Sequence, residues 1–244
     1  AGTVFLCIRM KEASAKSVRM LILITTVTVL ILEVYKQINY SFSYQDGIHY
    51  DYQWYAFPFQ FCSTPMYVGL VMAFTKQGRV HEACSAYLAT YALFAGICVM
   101  LYPATVFIDT IGINIQTMIC HGSMIVAGIC LLVCGYVKLE HKTILKALPV
   151  FSCLVVIAMF MNSIAKATGL LERETFNMFF ISPYCEPSLP VYSIVQQYVP
   201  YPLCLIIYVA GFTLASYLIL LAAMGIRSLS RKVFFSEEDT AVTG

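Results

Sequence analysis

The chain has 244 residues, of which 60% are hydrophobic and only 11% charged, with a net charge of +2. Soluble domains carry about 25% charged residues, so this composition excludes a water-covered globule: lipid must clothe part of the surface. The small net charge, without a basic block or stripe, gives no footprint for nucleic acid.

In chain order, Ala1–Met10 is apolar but too short to span, and it lacks the layout of a cleaved signal peptide. It reads as a remnant of an earlier helix or as a membrane-lying lead-in. Six stretches then approach the ~20 apolar residues that a spanning helix needs. They are Val18–Tyr35, Trp54–Phe74, Ala83–Ile108, Ile111–Val137, Thr143–Ala165 and Val199–Ile226. Their apolar character runs around all faces, as in lipid-embedded helices. The expected fold is an all-α transmembrane bundle of about six spans, a single domain over residues 1–226.

Lys and Arg cluster on one set of connections, which sets orientation. Arg9, Lys11, Lys16, Arg19, Lys76, Arg79, Lys138, Lys142, Lys146, Arg227, Arg231 and Lys232 fall on one side, against Lys36, Lys166 and Arg173 on the other. Both termini are therefore expected in the cytoplasm, and the connections near Asp46, Asp109 and Glu172 outside. We place the chain in a bacterial cytoplasmic membrane, with a eukaryotic internal membrane as the alternative.

Two outer segments are long. Gln37–Gln53 is rich in Tyr. Residues 166–198 hold Pro183, Pro187 and Pro190 with Phe176, Phe179, Phe180 and Tyr184, too aromatic for a free linker; we read them as a lid over the outer face. Residues 227–244 read as a flexible cytoplasmic tail.

Polar side chains within spans are costly and should face the bundle interior. The candidates are Gln60, Cys62, Asn114, Gln116, His121 and Asn162. With the second and fourth spans both entering from outside, Cys62 lies about 12 Å down and His121 about 15 Å. At such similar depths the two can meet. Pro58 and Pro65 flank Cys62 and free the carbonyls of Trp54 and Phe61, which at membrane depth need water or polar partners; a hydrated pocket beside Cys62 would supply them. A thiolate with a neighbouring imidazole does nucleophilic chemistry. Against this stands packing, the common role of a membrane cysteine. A lone histidine is often just a hydrogen-bonded bundle residue.

Gly122, beside His121, admits either a close backbone approach or packing of small residues. His49, His81 and His141 read as surface residues, and no trio has zinc spacing; neither metal nor cofactor is expected. Tyr52, Trp54, Tyr198 and Tyr201 suit an interfacial belt. Most of the ten cysteines sit in apolar runs, without the oxidising, loop-rich context of a disulfide framework.

Several short motifs recur in a familiar order. Phe57-Pro58-Phe59-Gln60-Phe61-Cys62 is followed by Cys120-His121-Gly122, Asn177-Met178-Phe179-Phe180 and Pro187-Ser188-Leu189. An aromatic, proline-rich approach to the last span completes the set. Over roughly residues 20–226 this resembles the YwaF-like integral membrane family, which includes the transmembrane protein 164 acyltransferase of ether phospholipids. The resemblance implies that Cys62 and His121 are catalytic, and that an acyl chain passes from a phospholipid to the thiol and on to a lysophospholipid. Gln60 departs from the family pattern, where a histidine often stands; Gln cannot act as a base. Gln60, Asn114 and Gln116 are expected as amide donors to the oxyanion, and Asn162 and Asn177 as further substrate contacts.

The rival reading is a small-solute transporter or binding module without thiol chemistry, suited by a proline-broken span. No inverted repeat supports it, and the sequence reading finds no acidic residue in the outer half of the spans to couple ions. A third reading is a structural or assembly protein without catalysis.

Overall fold

A computed structural model describes residues 13–43, 47–172, 175–186 and 189–242. Ala1–Met10, Arg9, Lys11, Asp46, Arg173, Pro187 and Ser188 lie outside the described residues. The chain is an all-α bundle, and among the described residues five helices are long and apolar enough to cross a membrane.

Helix α1 (Ala15–Asn39) starts where the Ser14 hydroxyl accepts the Ser17 amide at 3.1 Å, filling one of the donor positions a helix start leaves open. Two strands of two residues each follow, β1 (Phe42–Ser43) pairing antiparallel with β2 (His49–Tyr50). Helix α2 (Thr64–Phe74) is only 11 residues long. The stretch expected as the second span is thus half irregular: a 3₁₀ turn at Trp54–Ala56, non-helical backbone to Ser63, then α2. Pro58 and Pro65 account for the break, since Pro65 fits the first turn of a helix and not its interior.

Helix α3 (Arg79–Leu101) contains a π turn at Leu88–Ala92. Helix α4 (Ile111–Val133) and helix α5 (Lys142–Ala167) cross next. Gly169, at φ +72, supplies the left-handed residue after α5. Helix α6 (Pro190–Val195) is short, and helix α7 (Tyr201–Val242) closes the bundle. Residues 227–242 continue α7, where the sequence suggested a flexible tail.

The core is aromatic. Phe151 of α5 is fully buried, with ring centroids of Tyr91 at 4.5 Å, Phe61 at 5.4 Å, Phe212 at 5.8 Å and Phe179 at 6.3 Å. It joins α3, α5 and α7 to the two irregular segments. Ile31, Val34, Val156, Phe160 and Ile206 are more than half exposed, the surface that lipid would cover.

The expected lid goes deeper than a cover. Phe176, Met178, Phe179 and Ile181 are buried within the bundle. Phe179 and Phe180 adopt φ of 59° and 57°, a region non-glycine residues seldom enter. Amides hold them there. Asn162 donates to Met178 O at 3.1 Å and accepts from Met178 N at 2.8 Å. Gln60 donates to Asn177 O and accepts from Phe179 N, both at 3.0 Å. Asn177 Oδ1 accepts from Ser182 N at 2.9 Å, and Tyr208 donates to Phe179 O at 3.0 Å.

Candidate active site

Cys62 lies in the turn that leads into α2, two residues before its start. Its thiol is partly buried. Side chains of the protein meet the carbonyls around it. Thr64 donates to Phe61 O at 2.8 Å, and its single hydrogen thus spent, it accepts from the buried Tyr87 hydroxyl at 2.9 Å. Tyr67 donates to Pro58 O at 2.8 Å, and the Cys120 thiol approaches Cys62 O at 3.9 Å. The Phe61 carbonyl therefore has its partner in a threonine hydroxyl, where the sequence reading called for a hydrated pocket.

His121 arrives from α4 and is 4% exposed. Its Nδ1 lies 2.7 Å from Thr117 O. A carbonyl only accepts, so Nδ1 carries the hydrogen and Nε2 holds the basic lone pair. That Nε2 is buried and lacks a hydrogen-bond partner of ordinary geometry, while the imidazole and the Cys62 thiol interact through their side chains. The similar depths inferred from sequence do bring these two residues together.

Close approach of α3 sets the position of the α4 backbone at His121. A Cβ built on Gly96 would lie 2.8 Å from His121 O, whereas one on Gly122 meets nothing within 4 Å. The backbone approach proposed for Gly122 belongs to Gly96. Gly96→Val is expected to push α3 and α4 apart and destabilise the protein by about 1–3 kcal/mol. Thermal unfolding in detergent would register it, while Gly122→Ala should leave the midpoint near wild type.

The remaining sequence candidates are occupied. Gln60, Asn162 and Asn177 pin the buried segment around Phe179, as described. Asn114 makes a two-way clasp on Ile108, accepting from its amide at 2.9 Å and donating to its carbonyl at 2.7 Å. Gln116 donates toward Glu33 at 3.5 Å. In this structure Gln60 and Asn114 spend amide hydrogens on backbone carbonyls and not on a vacant oxyanion position.

Glu33 escaped the sequence reading. It is 5% exposed in the last turns of α1 and holds Lys36 at 2.9 Å. Gln37 donates to it at 2.7 Å and to Ala56 O at 2.9 Å, and Tyr52 donates to Gln37 at 2.6 Å. An acidic residue therefore does stand at the same end of the bundle as Cys62, which corrects the expectation of none. The signal lay in the Glu33, Lys36, Gln37 spacing, which places all three on one helix face.

His81 is also corrected: it is 1% exposed, inside α3 and not in a loop. Arg19 lies 3.1 Å from its Nδ1 and also donates to Thr75 O. Arginine only donates, so Nδ1 accepts and Nε2 donates to Tyr136 Oη at 2.6 Å. This cluster lies near the start of α1, away from Cys62.

These features define a polytopic helical membrane protein with a partly buried thiol beside a buried imidazole, and an ion-paired amide network at one end. The chain belongs to the TMEM164 family, whose family model matches residues 1–221. No curated protein and no solved structure matches it.

Proposed function

We propose that the protein moves an acyl chain between glycerophospholipids through a thioester on Cys62, with His121 as the base. The observation that carries this is the buried Nε2 of His121, left without another partner beside the thiol while Nδ1 is tied to Thr117 O. The resemblance of the motifs to transmembrane protein 164 supplies the substrate class.

In the first half-reaction Nε2 takes the thiol proton and Sγ attacks the carbonyl carbon of a lipid ester. The tetrahedral intermediate collapses by breaking the bond to the glycerol oxygen, which receives the proton from His121 and leaves as a lysophospholipid hydroxyl. In the second, the hydroxyl of another lysophospholipid gives its proton to His121 and attacks the thioester. The C–S bond breaks and the proton returns to sulfur. An apolar cavity of about 530 Å³, lined by Trp54, Phe57, Ile164, Leu170 and Phe176 among others, lies at the Trp54 and Phe176 end and suits an acyl chain.

The amides of Gln60, Asn162 and Asn177 support this reaction indirectly, by holding the segment that packs against Phe61, next to Cys62. The transporter reading gains a buried acid in Glu33, yet Lys36 already neutralises it. Incubating the protein in bilayers with isotope-labelled phospholipid, quenching in acid and searching Cys62 by mass spectrometry for a hydroxylamine-labile acyl group tests the proposal. A labelled thioester is the expected result. Its absence in folded protein offered several lipid classes would leave Cys62 a packing residue.

A further inference from the structure

Glu33 and Lys36 form a buried pair that the acyl-transfer chemistry leaves unused. Their nitrogen–oxygen distance is 2.9 Å, and their side chains are 7% and 17% exposed. Burying two charges is costly, and replacing such a pair with apolar residues is often neutral or stabilising. Stability alone gives little reason for a lysine and a glutamate here.

The pair sits at a definite level. Glu33 meets Gln116, five residues before His121 on α4. Five residues of helix are about 7.5 Å. The headgroup layer adds about 5–8 Å to each face of the hydrocarbon core. A phospholipid whose ester carbonyl reaches Cys62 thus carries its phosphate at the level of Glu33 and Lys36. Lys36 is also the cation whose charge reaches both Cys62 and His121.

We propose that Lys36 is the ligand for the phosphodiester of the lipid substrate, and that Glu33 is the internal anion the phosphate displaces. This rests on the phospholipid reading above and adds the group that recognises the headgroup. With the site empty, Glu33 neutralises the ammonium. When a lipid enters, one phosphate oxygen takes the place of the carboxylate on Nζ, and Gln37 and Gln116 keep Glu33 hydrogen-bonded. No covalent bond changes.

The two residues then have opposite effects, which a structural ion pair would not produce. The probe is a radiolabelled dialkyl-ether phosphatidylcholine, which has no ester for the thiol to cleave. Its retention on immobilised protein in detergent is compared with that of the dialkylglycerol bearing the same chains and no phosphate. Wild type should prefer the phospholipid by about tenfold or more, the scale of a charge-assisted hydrogen bond. Lys36→Met should erase the preference. Glu33→Gln should retain or enlarge it, because the ammonium loses its internal competitor. The double variant, which leaves no unpaired buried charge, guards against misfolding and should show no preference.

No preference in wild type, an undiminished one in Lys36→Met, or equal loss in both single variants would overturn the proposal. Thioester formation on Cys62 is measured separately with an ester lipid. Its failure would remove the acyl-transfer reading while the retention assay still decides the role of Lys36.

Discussion

Cys62→Ala should bring phospholipid ester exchange down to the background rate, and His121→Ala should slow it by about 10²–10⁴-fold, the usual range for a positioned base. The double variant should be no worse than Cys62→Ala, because residues acting on one proton transfer are not additive. Release of labelled lysophospholipid from bilayers, with unfolding temperatures alongside, measures both. His121→Gln sharpens the test. It fills much of the same space yet supplies no base, so it should fail as His121→Ala does. Full activity in Cys62→Ala would end the thiol mechanism; full activity in His121→Gln would end the role of the imidazole.

The second large effect falls on stability. Asn162 is 1% exposed and meets both the amide and the carbonyl of Met178. Asn162→Ala would orphan the buried Met178 amide, at about 1–3 kcal/mol, while the Met178 carbonyl keeps the Ile181 amide at 3.4 Å. Hydrogen bonds between membrane helices average only about 0.6 kcal/mol, because the separated helices find other partners. That relief is closed to Met178, whose neighbour Phe179 is already held at positive φ. The unfolding midpoint in detergent should drop by about 2–12 °C. Lysophospholipid release should drop with it, since Phe179 packs against Phe61 with ring centroids 5.7 Å apart, one residue from Cys62. A midpoint within a degree of wild type would show that the segment is held by packing alone.

Continuous apolar runs made the long crossings legible, because a helix in lipid must satisfy its backbone internally whatever its neighbours are. Depth counting along two spans was enough to bring Cys62 and His121 together. The same counting misplaced His81, because the apolar window began at Ala83 while the helix begins at Arg79. Its burial depends on Arg19 and Tyr136, which lie 62 and 55 residues away. Gln60, Asn162 and Asn177 stood out as polar, but polarity does not say whether an amide faces a substrate or a backbone. Glu33 was hidden by its place at a span end, where charge is ordinary.

The broken second crossing bears on how the protein is made. Its half-length helix and open turns are a poor substrate for insertion one segment at a time, since bare amides and carbonyls do not stay in hydrocarbon. The partners that close it, Asn177 O and Phe179 N, follow Gln60 by 117 and 119 residues. At about 5–20 residues per second, translation needs about 6–24 s to deliver them. Through that interval the nascent chain holds Cys62 in an unfinished environment. The candidate nucleophile is therefore assembled late, and a chain stopped before residue 176 carries the cysteine without its surroundings.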